Sequence, residues 1–318
     1  MLDQMAGLKH WVTYPLISHP YDPAFVTKDA LARFARAAEA AGFDGIGFTD
    51  HPAPSDRWLR SGGHDALDPF AALAFVAAIT DRMLLIPNIL VLAYRNPFLV
   101  AKAAATIDAL SDGRFVLSTA VGYQRGEYNA LGVDFDERNA LFDEALAVVQ
   151  GIWTTDQFAH EGLHFRASGQ TVNPKPSRIP IWIGGNSKLS RQRVADHGDA
   201  WNPFPAPAPL SAVTKTPKLD SMEDLALMLD DLWRRVDEAG RDRADMDIGF
   251  VNLLGPAPGT DGFNIDQHLT GLDQMTSLGV TWNSVGVPGD SIDHAIDTLG
   301  HYGAEIIEPT RATGRPRR

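Results

Sequence analysis

Short apolar runs alternate with longer segments of helical periodicity along almost the whole chain. The segment 28–41 is representative, because its apolar residues recur at the spacing of a helix that packs on a sheet. Thr27 can cap the start of this helix, and Gly42 can end it. The alternation predicts parallel strands joined by crossover helices.

The pattern contains eight predicted strands, each followed by a predicted helix. The strands cover residues 11–17, 45–51, 83–92, 115–121, 179–185, 199–204, 247–254 and 280–286. The helices cover residues 28–41, 69–80, 97–110, 137–153, 187–197, 222–239, 265–278 and 291–307. Eight such units without an obvious domain break predict one α/β domain over residues 1–318, folded as a (β/α)8 TIM barrel. An open, doubly wound sheet is the competing arrangement.

Four segments depart from this pattern. Residues 154–178, between the fourth and fifth strands, form a polar insertion with some short strand. Residues 205–221, after the sixth strand, are polar and rich in Pro, which predicts a mobile loop. Residues 309–318 are basic and broken by Gly and Pro, which predicts a flexible tail. The loop 52–68 is longer than a bare connection needs, which suggests a function.

Composition excludes several classes of function. The net charge of −12 repels phosphate backbones, so nucleic-acid binding is not expected. Cysteine is absent, which excludes disulfides, thiolate catalysis and Cys-ligated metals, and favours a cytoplasmic location. The start of the chain, MLDQMAGLKHWVTYPLI, lacks the apolar run of a signal peptide or membrane span, so no membrane partner is expected.

Asp50 and His51 end the second predicted strand. In (β/α)8 barrels the active site lies at the carboxyl ends of the strands, so polar residues there are informative. A histidine can serve as a base near neutral pH, and a nearby carboxylate can tune it. The alternative is an ordinary histidine in a surface loop.

Two further strands carry candidate residues. Asn88 and Ile89 lie within the third strand, where they could form a bulge, although a plain buried strand explains the same pattern. Gly122 and Tyr123 end the fourth strand, and Glu127 follows them. A glycine at that position lets a flat ring approach the backbone, while a simple turn is the alternative.

The turn after the fifth strand consists of Gly184, Gly185, Asn186 and Ser187. Free backbone N–H groups at the start of a helix bind phosphate, and Lys188 and Arg191 add positive charge nearby. Tight strand–helix packing would also explain the two glycines. The position after the fifth barrel strand favours the phosphate site.

Together these residues resemble the luciferase-like oxidoreductases, and within them the branch that uses the deazaflavin coenzyme F420. The similarity runs from about residue 10 to residue 307. It is strongest in AEAAGFDGIGFTDHP, YRNPFLVAKAAATIDALSDGRFVLSTAVGYQRGEYNALG and PKPSRIPIWIGGNSKLSRQRVADHGDAWNPF, and LGVTWNSVGVPGDS also resembles that branch. The resemblance implies a bacterial luciferase-like TIM barrel, an oxidoreductase activity and a homodimer.

The resemblance also implies a role for each candidate position. His51 matches the histidine near the reactive face of the ring, which gives or takes a proton, and Asp50 before it is expected to bind the cofactor. Asn88-Ile89 matches the non-proline cis peptide that backs the ring. Gly122-Tyr123 matches the segment beside the ring and its side chain, and residues 184–187 match the phosphate-binding turn.

One position departs from the family pattern. Sugar-phosphate dehydrogenases of this family carry an acidic glutamate soon after the fourth strand, where this chain has Gln124-Arg125. Glu127 matches a separate and more widespread family position. The chain also shows no clear set of basic residues for a substrate phosphate. The resemblance therefore does not extend to sugar-phosphate activity.

The implied reaction is hydride transfer between C5 of F420 and a small organic substrate, with His51 handling the proton. FMN carries a similar ring and phosphate, so an FMN-dependent monooxygenase is the alternative. Four aromatic residues predict a fairly apolar substrate pocket, unless they only fill the core. They are Trp11, Tyr14, Trp201 and Trp282.

Two other classes of protein compete with this interpretation. A metal-dependent barrel hydrolase could use His51 and His64 with Asp50 and Asp65, but such barrels usually show a His-x-His on an early strand, and this sequence has none. No metal is therefore expected. A non-catalytic cofactor carrier would bind the ring without turnover, and fold alone does not exclude it.

Overall fold

The computed structural model describes residue 5 and residues 7–313 of the chain. A parallel barrel lies at the centre, and a two-stranded antiparallel hairpin lies outside it. The strands are β1 (Lys9–Thr13), β2 (Gly45–Phe48), β3 (Leu84–Pro87), β4 (Leu90–Val91), β5 (Leu117–Ala120), β6 (Phe158–Glu161), β7 (Arg166–Gln170), β8 (Ile181–Gly184), β9 (Ala200–Asn202), β10 (Asp247–Val251) and β11 (Trp282–Val285). β6 and β7 form the hairpin, and the other nine form the barrel sheet.

The barrel sheet has the strand order β3-β2-β1-β11-β10-β9-β8-β5-β4. β3 and β4 are two parts of one barrel strand, separated by the cis peptide Asn88–Ile89. A parallel bridge between Leu85 and Phe115 joins β3 to the chain leading into β5 and closes the ring. The predicted (β/α)8 barrel is confirmed, and the open doubly wound alternative is wrong.

Helices surround the barrel, and the long ones lie at the positions that the periodicity predicts. They are α1 (Lys28–Ala40), α2 (Asp56–Leu59), α3 (Pro69–Ala77), α4 (Pro97–Leu110), α5 (Arg125–Ala130), α6 (Arg138–Thr154), α7 (Lys188–His197), α8 (Ala208–Thr214), α9 (Met222–Glu238), α10 (Ile265–Ser277), α11 (Ile292–Tyr302) and α12 (Glu308–Thr313). At α1 the Thr27 hydroxyl accepts the Ala30 N–H at 3.1 Å, as a capping residue does. The short helices α2, α5, α8 and α12 were not predicted.

Three tryptophans fill the interior of the barrel. Trp11, Trp182 and Trp282 lie with their ring centroids 5.1–6.2 Å apart, and each is at most 3% exposed. Tyr14 and Trp201 are equally buried, but they belong to the larger core that includes the surrounding helices. All four aromatic residues proposed for a substrate pocket are therefore packing residues. They no longer support the prediction of an apolar substrate pocket.

Two segments predicted to be mobile have regular structure. The loop 205–221 contains α8, and Ala206 and Leu219 pair in both directions through their backbones at its base. The predicted tail is helical as far as residue 313, because a π-helical turn at Gly303–Ile307 continues α11 into α12. Arg311 anchors this end by donating to Asp44 Oδ1 at 2.6 Å. Residues 314–318 of the predicted tail lie outside the described residues.

Candidate active site

Contacts between neighbouring strand ends bring the predicted residues together at the carboxyl end of the barrel. The Asn202 amide at the end of β9 donates to Asn88 Oδ1 at 3.3 Å. Asn88 in turn donates to Thr13 Oγ1 of β1 at 3.1 Å. The tip of the Ile89 side chain lies directly against Gly184 of β8. The third strand therefore connects both sides of the barrel mouth through the cis peptide.

His51 is held by two side chains from the chain after β5. Its Nδ1 lies 3.3 Å from Glu127 Oε2 and 3.0 Å from the amide nitrogen of Gln124. Glu127 is buried, and its second oxygen accepts the Ala53 N–H at 3.4 Å. Glu127 thus fixes both the imidazole ring and the start of the loop that follows it.

The two partners of Nδ1 differ in hydrogen-bonding character. A carboxylate such as Glu127 only accepts, whereas the amide N–H of Gln124 donates. Nδ1 of His51 therefore has a partner whether it carries a proton or a lone pair. The opposite nitrogen, Nε2, can correspondingly present a lone pair or an N–H group. A ring held in this way can take a proton or give one.

Two aromatic side chains from the loop 52–68 surround the His51 ring. The Trp58 ring centroid lies 4.5 Å from that of His51, and the His64 centroid lies 5.0 Å from it in an edge-on arrangement. Trp58 and His64 also contact each other at 5.5 Å. The long loop, for which the sequence predicts a function, thus supplies one wall beside His51.

The Asp50 carboxylate is occupied by contacts within the protein. It accepts the Val91 N–H at 2.9 Å and two N–H groups of Arg95 at 3.2 and 2.6 Å. Burial raises the pKa of Asp50, while its hydrogen bonds to Arg95 oppose that effect. Asp50 therefore ties β2 to the chain after the cis peptide, and its carboxylate lies in this ion pair rather than free at the mouth.

Gly122 has a positive φ of +70°, and a Cβ built on it would lie 2.7 Å from the Val91 side chain. A glycine is therefore required here because the two strand ends pack closely. This agrees with the alternative that Gly122 forms a simple turn. Tyr123 follows it with 36% of its surface exposed, so its ring remains available at the mouth. The Tyr128 hydroxyl donates to the Val121 carbonyl and fixes this turn.

The turn after β8 offers backbone donors. Ser187 caps α7, and its hydroxyl accepts the Ser190 N–H at 3.0 Å. Within the described part of the chain, the backbone N–H groups of residues 186–188 have no hydrogen-bond acceptor. Gly185 has a φ of +103°, and a Cβ there would lie 2.8 Å from the Ser190 hydroxyl. Free N–H groups at the start of a helix suit a phosphate group.

The Asn186 side chain does not face this turn as a free ligand. Its amide nitrogen donates to the Phe204 and Pro217 carbonyls at 2.9 and 3.2 Å, and its Oδ1 accepts the Phe204 N–H at 3.1 Å. Asn186 therefore holds the segment 203–217 against the turn. Its contribution to a phosphate site is the backbone N–H.

Arg191 supports the turn from beneath and is itself buried. It donates to the Asn186 carbonyl at 2.8 Å and to Asp231 Oδ2 at 2.8 Å. The Asp231 carboxylate also accepts hydrogen bonds from Arg235 Nε at 2.9 Å and from Arg234 Nη2 at 2.7 Å. The hydrogen bond from Arg235, together with those from Arg191 and Arg234, holds the pKa of Asp231 well below its usual range. The positive charge of Arg191 is thus balanced by α9.

Sequence reasoning missed several residues of this site. Glu127 was visible after the fourth strand, but nothing in the local pattern connects it with His51. Trp58 lies in a polar loop without periodicity, and no local pattern connects Arg95 with Asp50. Only the general rule that barrel loops meet at one end could have suggested these residues.

Two cavities lie outside the barrel mouth. One of about 970 Å³ lies between α1 and the α11–α12 region, and one of about 440 Å³ lies between the loop before α10 and α11.

In residue 5 and residues 7–313, no three His, Cys, Asp or Glu side chains are grouped to hold a metal ion. No described helix is both long and apolar enough to cross a bilayer.

The chain belongs to the luciferase-like monooxygenase family, whose sequence profile matches residues 17–252. An F420-dependent glucose-6-phosphate dehydrogenase of Nakamurella multipartita is 30% identical over 72% of this chain and 69% of its own length. The enzyme of that name from Beutenbergia cavernae is 32% identical over 56% of this chain, and the match spans about half (52%) of that relative. The family assignment makes the chain an oxidoreductase with a luciferase-like barrel.

Comparison with solved structures supports the same fold. The monooxygenase RslO1 of Streptomyces bottropensis superimposes with a TM-score of 0.79, covering 95% of this chain and 99% of that one, at 18% identity. At this low identity the likeness concerns the barrel alone.

Proposed function

We propose that this enzyme transfers a hydride between coenzyme F420 and a small organic substrate at the mouth of the barrel. The observation that carries the proposal is the position of His51, whose Nδ1 lies between Glu127 and Gln124. The free N–H groups of residues 186–188 supply a phosphate site on the same end of the barrel. The two dehydrogenase relatives, which are named as F420-dependent, also support the choice of cofactor.

In this proposal the bound deazaflavin supplies the hydride acceptor or donor, and the chain supplies position and proton transfer. Asn88 and Ile89 back the ring, and Gly122 and Tyr123 lie beside it. The turn from Gly184 to Ser187 binds the phosphate through backbone N–H groups. Asp50 acts indirectly, by holding the strand ends in place. His51 Nε2 takes a proton when the substrate is oxidised and returns it when the substrate is reduced.

We do not extend the proposal to sugar phosphates, although the two relatives are named for glucose 6-phosphate. Around the position where a sugar-phosphate enzyme of this family has its acidic residue, this chain has Gln124 and Arg125. Arg125 is exposed and pairs with Asp136 at 2.6 Å.

A homodimer remains part of the proposal, and light scattering of the purified protein tests it.

Titration with F420 and, separately, with FMN tests the proposed cofactor through quenching of tryptophan fluorescence. We expect micromolar binding of F420 and at least tenfold weaker binding of FMN, a difference of about 1.4 kcal/mol. The reverse preference would assign the enzyme to the flavin monooxygenases, and oxygen consumption would then be measured. Binding of neither would overturn the phosphate site at Gly184 to Ser187.

Replacement of His51 separates an enzyme from a cofactor carrier. Because His51 is proposed to move a proton, His51→Ala should reduce turnover of F420 by about 10²- to 10⁴-fold. The affinity for F420 should change little, since the phosphate site is on another strand. Equal turnover in the wild type and the variant would favour the carrier interpretation.

A further inference from the structure

The loop between β2 and α3 places a second histidine, His64, in the wall of the site. Its ring contacts both His51 and Trp58, with centroid distances of 5.0 and 5.5 Å. The proposed proton transfer uses only His51. A second imidazole 5.0 Å from the first lies close enough to contact the same substrate.

Local sequence determines where the His64 ring lies. Gly62 adopts a φ of +93°, which turns the chain back on itself. The Gly63 N–H donates to the Trp58 carbonyl at 3.0 Å, and a Cβ on Gly63 would lie only 2.5 Å from the Trp58 ring. On the other side, Asp65 pairs with His19 at 2.9 Å. The two anchors hold the intervening His64 in a fixed position.

The hydrogen-bonding state of His64 follows from one contact. Its Nδ1 lies 2.9 Å from the Asp65 backbone carbonyl, and a carbonyl only accepts, so Nδ1 carries the proton. Burial lowers the pKa of His64, and the neighbouring His51 acts in the same direction, whereas the Asp65 carbonyl and the carboxylates of Asp65 and Glu127 oppose them. The neutral ring therefore has a lone pair on Nε2. No hydrogen-bond partner of that nitrogen lies among residue 5 and residues 7–313.

We propose that Nε2 of His64 accepts a hydrogen bond from a second hydroxyl group of the substrate, next to the carbon that reacts beside His51. Rings with centroids 5.0 Å apart can reach hydroxyls on adjacent carbon atoms, because each hydrogen bond spans a further distance of about 3 Å. The substrate class is therefore a vicinal diol or polyol rather than an apolar compound. This inference rests on the proposed hydride transfer.

The two hydroxyl groups have different fates in the oxidation. At the reacting carbon the C–H bond breaks and its electron pair leaves as hydride to oxidised F420. The hydroxyl proton on that carbon passes to His51, and a C=O bond forms. The neighbouring hydroxyl keeps its proton and its hydrogen bond to His64. His64 is thus a specificity-determining residue, because it binds a part of the substrate that does not react.

The test compares cis-1,2-cyclohexanediol with 2-methoxycyclohexanol, which has a similar shape but lacks the second hydroxyl proton. Binding to the cofactor-free protein is measured by ligand-observed NMR. We expect the wild type to bind the diol at least fivefold more tightly than the methyl ether. Oxidation of the diol, followed by loss of F420 absorbance, should show the same preference in KM.

Three variants of His64 identify the atom responsible. His64→Gln places a polar atom near the position of Nε2 and should keep the preference for the diol. His64→Asn retains only a group near Nδ1, and His64→Phe retains only the ring, so both should lose the preference. His197→Asn, at the exposed end of α7, is the control and should behave as the wild type.

The outcomes distinguish this inference from the proposed function. Equal binding of diol and ether by the wild type, or an undiminished preference in both His64→Asn and His64→Phe, would overturn the role of His64. A preference that depends on His64, in a protein that fails to bind F420, would sustain the role of His64 in binding and overturn the proposed cofactor instead.

Discussion

His51 and Glu127 are 76 positions apart in sequence, yet Nδ1 of the histidine lies 3.3 Å from Oε2 of the glutamate. Only 11% of the His51 side chain and 2% of the Glu127 side chain are exposed. Since the pair joins the loop after β2 to α5, the orientation of the proposed catalytic ring depends on the chain that follows the fourth barrel strand. Glu127 is therefore a positioning residue, which acts through His51.

Glu127→Gln should lower kcat about tenfold or more while leaving the Kd for F420 within about twofold. The substitution preserves the size of the side chain but removes the negative charge beside Nδ1 of His51. That charge stabilises the His51 ring when it accepts a proton from the substrate. Steady-state oxidation of cis-1,2-cyclohexanediol and tryptophan quenching by F420 measure the two effects. Glu223→Gln, in the exposed first turn of α9, is the matched control. An unchanged kcat would show that Glu127 does not position His51.

Asp50→Asn should reduce the free energy of unfolding by about 1–3 kcal/mol, because it removes the carboxylate 2.6 Å from the partly buried Arg95 and leaves only Asp68, at 3.6 Å, to balance its charge. Urea denaturation measures this change. A second substitution, Arg95→Met, should restore part of the loss, since it removes a partly buried charge that Asp68 alone balances only weakly. If Asp50→Asn instead weakened F420 binding at unchanged stability, Asp50 would be a direct cofactor ligand, as the resemblance suggested.

The barrel could be predicted from the sequence because its signals are local. The helix over residues 28–40 carries its own cap at Thr27 and its own apolar face, and both features are present in the structure. The next strand, β2, ends at Phe48, and His51 lies just beyond its carboxyl end, as the barrel rule requires. The cis peptide Asn88–Ile89 was expected from the resemblance alone, and the structure contains it.

The contacts of the candidate site could not be predicted, because they join distant segments. No local pattern connects His51 with Glu127, or Asp50 with Arg95. Helix α8 was missed because its Pro-rich sequence is typical of loops, whereas the backbone pair of Ala206 and Leu219 closes the segment at its base. Such pairings depend on the finished fold.

Asp231→Asn should weaken F420 binding several-fold, because Asp231 holds Arg191 under the proposed phosphate turn. Arg235 and its neighbours depress the pKa of Asp231 in the folded state, so its stabilising effect is present above the unfolded pKa and is lost as the pH falls. The variant should therefore unfold at lower urea than the wild type at pH 7, and the difference should shrink below about pH 4.

The control for that experiment is Asp230→Asn, since Asp230 is exposed on the same helix. Urea midpoints at several pH values and fluorescence titration with F420 supply the two measurements. If the variant binds F420 as tightly as the wild type, the ion pair of Arg191 with Asp231 does not affect the phosphate turn. Asp231 would then have a role in stability alone.

The buried residue His10 should affect how the stability of the barrel depends on pH. Burial lowers its pKa to about 3, with Arg311 and His268 acting in the same direction. Its ring lies on β1, with Nδ1 3.2 Å from the Tyr302 hydroxyl and 3.3 Å from the Asn283 amide. The folded protein therefore keeps His10 neutral at a pH where the unfolded chain binds a proton.

A histidine with a depressed folded pKa stabilises the fold above the unfolded value of about 6.5, and this contribution is lost as the pH falls toward 3. His10→Gln should consequently reduce the pH dependence of the unfolding free energy between about pH 6.5 and 4. Some dependence should remain, because burial also lowers the pKa of His268, to about 4. Urea unfolding of both proteins across this range measures the slopes, and identical slopes would show that His10 does not resist protonation in the folded state.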